Sequence, residues 1–132
     1  MSSAAKTNIV ELLEQAAPGQ TGRFTVDALD ELKQYGLSPE EIYRFVAPRR
    51  TLARRAEKGQ PLTVEESDNY TRILHICQLA ERVFDNWDKA NGWLREPCRA
   101  LNGVVPFDLL EAEQGARLVE EELIRIEHGI FF

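Results

Sequence analysis

Apolar residues along this chain recur at steps of three and four, and no strand-length run alternates apolar with polar, so the pattern predicts helices throughout. Helical spacing over residues 7–17 stops at Pro18-Gly19. A loop through Gly22 leads to a helix over 26–35, with Leu29 and Leu32 inward and Gly36 as its C-terminal stop. Ser38-Pro39-Glu40-Glu41 is a start signal: Ser38 can cap, Pro39 suits the first helical position, and Glu41 completes a capping box. The helix it opens carries Ile42, Phe45 and Val46 and ends before Pro48. A fourth helix runs over 49–58 and stops at Gly59. Thr63 and Glu66 form a second capping box, opening a long helix to Phe84 whose residues Tyr70, Ile73, Cys77, Ala80 and Phe84 mark one buried face. A short helix over 88–94 is closed off by Pro97, and Pro106 starts a turn that reaches Leu110. A last helix from Glu113 carries Ala116, Val119, Leu123 and Ile126 and ends at Gly129, before an apolar tail of Ile130, Phe131 and Phe132.

The fold class expected is therefore all-α, a helical bundle. Its 132 residues, 43% hydrophobic and 29% charged, are enough for one domain or two small packed modules and argue against disorder. No run approaches the roughly 18 apolar residues that span a bilayer, and nothing resembles a signal peptide. Cys77 and Cys98 are too far apart for a CxxC redox or zinc pair, and Cys77 sits among apolar residues as a buried free thiol would. These features predict a cytoplasmic protein.

Charge changes the picture more than composition does. The net charge of −6 argues against a nucleic-acid ligand, but the charges are segregated. Between Arg44 and Lys58, six basic residues face only Glu57, a net of +5. Between Pro106 and His128, seven acidic residues outweigh Arg117 and Arg125, a net of −5. Such asymmetry points to two faces with two partners, one of them polyanionic.

The basic stretch lies on the last of three short, tightly joined helices, the outline of a helix-turn-helix unit whose later helix enters the major groove of DNA. On a helical wheel Leu52, Ala53 and Ala56 gather on one side, with Arg50, Thr51, Arg54, Arg55 and Lys58 opposite. Arginine can fork onto guanine edges, and Arg and Lys both hold phosphates. Arg49, Arg50, Thr51, Arg54, Arg55 and Lys58 are thus the candidate DNA contacts. A solvated face on an ordinary bundle helix gives the same pattern, so the residues alone leave both readings open.

Nothing directs the chain to catalysis. His75 and His128 have no cysteine or carboxylate at metal-ligand spacing, and there is no glycine-rich phosphate loop or nucleophile elbow. Asn69-Tyr70-Thr71 fits the glycosylation pattern, which is idle in a cytoplasmic helix. The reading is a non-enzyme with no catalytic residue, metal or cofactor.

From Trp93 onward the residues form an ordered series: Trp93-Leu94, Pro97, Ala100-Leu101-Asn102-Gly103, Pro106, Leu109-Leu110, Gly115-Ala116, Val119-Glu120 and Arg125-Ile126-Glu127-His128-Gly129. This series resembles the toxin-binding domain of Xre/ParS/MbcA-type antitoxins, the partners of RES-domain toxins. Upstream, Arg50-Thr51-Leu52-Ala53-Arg54-Arg55, Gly59 and Glu66-Ser67-Asp68 resemble the helix-turn-helix portion of the same family. Each position also has a physical reading: Asn102-Gly103 supplies a turn where positive φ is cheap, and Gly115 allows close backbone approach within a helix. One departure is Ala112, where family members usually carry a capping Thr or Ser.

The resemblance implies an arm and short helix over 1–22, a DNA-binding and dimerisation region over 23–86, and a toxin-binding domain over 87–132. It implies an antitoxin that occludes the NAD pocket of a RES-type toxin, which degrades NAD or transfers ADP-ribose from it. It also implies that the antitoxin, or its hetero-oligomer with the toxin, represses its own operon by binding operator DNA; a homodimer is expected because helix-turn-helix proteins usually read paired half-sites. The toxin-contact candidates are Arg125, Glu127, His128, Gly129, Ile130, Phe131 and Phe132; an apolar end past a helix stop suits a partner's groove. The alternative is a stand-alone regulator whose C-terminal module serves only dimerisation.

Overall fold

A computed structural model describes residues 23–129; the helix predicted over 7–17 and residues 130–132 lie outside that range. The described residues are helical with tight connections: a 3-10 turn Val26–Leu29, then α1 (Asp30–Gln34), α2 (Pro39–Phe45), α3 (Arg49–Lys58), α4 (Val64–Phe84), α5 (Trp87–Arg95), 3-10 segments Arg99–Leu101 and Pro106–Glu111, and α6 (Glu113–Gly129). No strand forms among them beyond an isolated bridge between Cys98 and Val104. The all-α expectation stands. The chain divides into two compact units between Leu74 and His75, inside α4.

In the first unit the helix predicted over 26–35 starts as a 3-10 turn. Thr25 makes no side-chain cap, and the Ala28 amide reaches back to the Thr25 carbonyl at 3.1 Å instead. Gly36, at φ 87°, ends α1, and the Leu37 amide closes the turn onto the Leu32 carbonyl at 3.2 Å. Both capping boxes form: Glu41 N–H donates to Ser38 Oγ and Ser38 N–H to Glu41, while Thr63 and Glu66 repeat the exchange. Leu32, Ile42, Phe45, Leu62, Tyr70 and Ile73 are buried. The chain enters this unit as a pinned strap: Phe24 N–H donates to Ser67 Oγ at 3.0 Å, Leu62 N–H donates to the Phe24 carbonyl at 2.8 Å, and the Phe24 ring meets Tyr70 edge-on.

In the second unit Asn86 caps α5 by accepting the Lys89 N–H at 2.9 Å, just after Asp85 takes a left-handed φ of 54°. Leu94 is fully buried, and Trp93 is half-buried with its ring centroid 5.8 Å from that of Phe84. Asn102 and Gly103 turn the chain at φ 60° and 80°, and the Gly103 amide donates to the Cys98 carbonyl at 2.8 Å. Pro106 opens its 3-10 segment as expected. Gly115 is the tight point: a Cβ there would lie 2.0 Å from the Leu109 carbonyl oxygen, so α6 can approach that segment only without a side chain. Ala116, Val119 and Leu123 are buried on α6, and Ile126 is half-buried.

Candidate functional site

The basic candidates all lie on α3, within ten residues, but they do not share one face. Arg49, Arg50, Arg54 and Lys58 are exposed, Thr51 is half-buried, and Arg55 turns inward. The expected apolar side is also different. Leu52 is the one buried residue of α3, whereas Ala53 and Ala56 are exposed and line an open groove of about 340 Å³ with Leu29, Ile42 and Tyr43. The inward stripe is thus Thr51, Leu52 and Arg55, and the outward face runs through Arg50, Ala53, Arg54 and Glu57.

Arg55 turns inward because a matched carboxylate waits there. Its guanidinium forks onto Glu66, Nε to Oε1 at 2.7 Å and Nη2 to Oε2 at 3.0 Å, with side-chain exposures of only 16% and 12%. Glu66 Oε1 also accepts the Thr63 N–H at 2.9 Å, so the same carboxylate closes the capping box of α4. Burial alone would raise the Glu66 carboxyl, but the Arg55 fork and the Thr63 N–H outweigh it and hold its pKa below the usual carboxylate value. Gly59, left-handed at φ 63°, then ends α3, with the Gln60 amide donating to the Arg55 carbonyl at 2.8 Å.

The second set of candidates lies at the end of α6. Arg125 is exposed and pairs with Glu122, one turn back and itself buried. Glu127 is half-buried and receives a fork from Arg82 at 3.2 and 3.3 Å. His128 is exposed and Gly129 half-buried, while Ile130, Phe131 and Phe132 lie outside the described residues. His75 holds the same helix one stretch earlier, its Nε2 lying 2.8 Å from Glu120. The sequence reading passed over Leu118 and Ile124, which are 50% and 40% exposed on the outer side of α6. Their signal was available, since both fall off the stripe of Ala116, Val119 and Leu123. Leu118 stands among Glu113, Gln114, Arg117 and Glu121, and Ile124 lies six residues further along the helix.

Among the described residues no three His, Cys, Asp or Glu side chains converge to hold a metal. Both cysteines are free and buried. No described helix is long and apolar enough to cross a membrane.

The second set, up to Gly129, falls within a stretch shared with known proteins. Residues 79–129 match the family described as the Antitoxin Xre/MbcA/ParS C-terminal toxin-binding domain. The chain is 41% identical to Antitoxin Xre of Pseudomonas putida over 110 residues, covering 83% of this chain and 69% of that one. It is 34% identical to Antitoxin Xre of Yersinia enterocolitica, covering 82% and 75% of the two chains. It is 28% identical to a Sphingobium protein named Prs ADP-ribosylating antitoxin, covering 80% and 81%.

Proposed function

This chain belongs to the Xre family of antitoxins, and from that premise we propose that it neutralises a RES-type toxin through its C-terminal domain and represses its own operon through α3. The observation that carries the reading is the toxin-binding family match over 79–129, which runs to the last residue of α6. It weighs against the stand-alone regulator, which has no use for a toxin-binding domain. The name of the Sphingobium relative supports a partner that handles ADP-ribose, the NAD-consuming chemistry of the proposed toxin.

In this reading residues 87–132 bind the toxin and residues 23–86 bind DNA as a homodimer, since helix-turn-helix proteins read paired half-sites. Arg49, Arg50, Thr51, Arg54 and Lys58 are the DNA contacts. Arg125, Glu127, His128 and Gly129 lead into Ile130, Phe131 and Phe132, which occlude the toxin's NAD pocket. Each Phe buried there contributes about 1.5–3 kcal/mol.

The test is NAD remaining after toxin is mixed with the antitoxin, full-length or lacking residues 130–132. The truncated protein should keep its helical circular dichroism and protect NAD less well at matched concentration. Full protection by the folded truncation would move inhibition off the tail and onto the outer face of α6, where Leu118 and Ile124 stand.

A further inference from the structure

α3 is poorly anchored for a helix that must present side chains to a groove with ångström accuracy. Of its ten residues only Leu52 is buried, and Pro48 before it offers no side-chain cap. One buried knob fixes where a helix lies but not its roll about its own axis. The second anchor is polar: Arg55, three residues on and on the same side, forked onto Glu66 at 2.7 and 3.0 Å. A fork is planar and bidentate, so it constrains rotation as well as distance. The Glu66 carboxylate is itself immobilised, because it accepts the Thr63 amide at the start of α4. Roll matters here because Arg50 and Arg54 are on the outward face, and bidentate base contacts tolerate little misalignment.

We propose that the Arg55–Glu66 pair is the positioning device of the DNA-reading helix: it sets the roll of α3 and hence the discrimination of operator from other DNA, and Arg55 itself touches no nucleic acid. This rests on the reading that α3 enters DNA. The pair makes opposite predictions from a phosphate contact. A phosphate-binding arginine can be replaced by lysine and gains from losing a nearby carboxylate; a clamp is broken by both changes.

The experiment measures the affinity of the full chain for a duplex of the promoter upstream of its own gene and for a scrambled duplex, over a range of salt. The variants are Arg55→Lys, which keeps the charge and loses the fork, and Glu66→Gln, which keeps a capping acceptor for Thr63 and loses the charge. Both should lower the promoter-to-scrambled affinity ratio about tenfold, the scale of a lost charge-assisted hydrogen bond. The salt slope should not change, because no phosphate contact is removed. Unaltered helical circular dichroism of the same preparations serves as the folding control. If either variant keeps the ratio, the fork does not set discrimination; if Arg55→Gln flattens the salt slope by about one unit, Arg55 is itself a DNA contact; either result overturns the proposal. Arg50→Ala with Arg54→Ala is the separate arm. Undiminished promoter affinity there would remove α3 from DNA altogether, and the clamp's role with it; loss there with an intact Glu66→Gln ratio would overturn the clamp alone.

Discussion

α3 and α6 are both charged helices, yet they are held by opposite means. α3 buries Leu52 alone and relies on one forked ion pair. α6 buries Ala116, Val119, Glu122 and Leu123 along seventeen residues and requires backbone contact at Gly115. A helix held lightly leaves most of its surface for a large ligand. Its activity is vulnerable to changes of charge that barely touch stability. A helix held by packing is vulnerable the other way, because its partner surface exists only while the core beneath it does.

The largest test of that contrast is Arg50→Ala with Arg54→Ala. Promoter affinity should fall by about 1–3 kcal/mol for each arginine that forks onto guanine. The urea midpoint and the inhibition of toxin should stay at wild-type values, since both side chains are exposed. Loss of inhibition by this folded variant would break the contrast.

Gly115→Ala should do the reverse. The added methyl has to displace the Leu109 backbone, an overpacking cost of about 1–3 kcal/mol that outweighs the gain in helix propensity of about 1 kcal/mol when the strain is at the upper end, as a 2.0 Å clash implies. Urea unfolding should show the loss, and NAD protection should fall with it. Gly92→Ala is the control: a Cβ there meets nothing within 4 Å, so stability should rise by about 0.5–1 kcal/mol. A Gly115→Ala protein as stable as Gly92→Ala would remove close approach as the explanation for that glycine.

The smallest effect concerns acid. Glu66 has its folded pKa below the ordinary 4.5, so its contribution is fully present above that pH and is lost as pH falls through the lowered value. Glu66→Gln should therefore flatten the acid limb of the stability profile and leave the neutral plateau lower. An acid limb identical to wild type would mean that the pair contributes nothing to folding.

Much of this was legible in the sequence because it is local. Ser38 with Glu41, Thr63 with Glu66, Gly36, Gly59 and the Asn102-Gly103 turn each announce themselves within a few residues, and each forms. Arg55 was misplaced for the opposite reason. A helical wheel sends every arginine to solvent, and the carboxylate that draws this one inward lies eleven residues on, across a turn. Ala53 and Ala56 followed from the same error, since hydropathy placed them inside and the groove leaves them exposed. The 3-10 start at Val26 also escaped, because an absent cap leaves no mark in the sequence.

The ties from α4 to α6 have a regularity worth following. His75 pairs with Glu120 and Arg82 with Glu127, each spanning 45 residues, so seven residues on one helix match seven on the other. At about 1.5 Å per residue this is a common ruling of about 10 Å on two helices that run the same way. The exposed pairs themselves add little energy. What they set is a rule for length change. A residue inserted anywhere between positions 85 and 112 alters the 45 but leaves the ruling intact. One inserted between positions 75 and 82, or between 120 and 127, sets the two rulings out of step and separates at least one pair. An insertion within a paired stretch also turns buried residues between its pairs, such as Ile76 and Ala80 on α4 or Leu123 on α6, off the core, and that packing is what restricts those stretches to substitution.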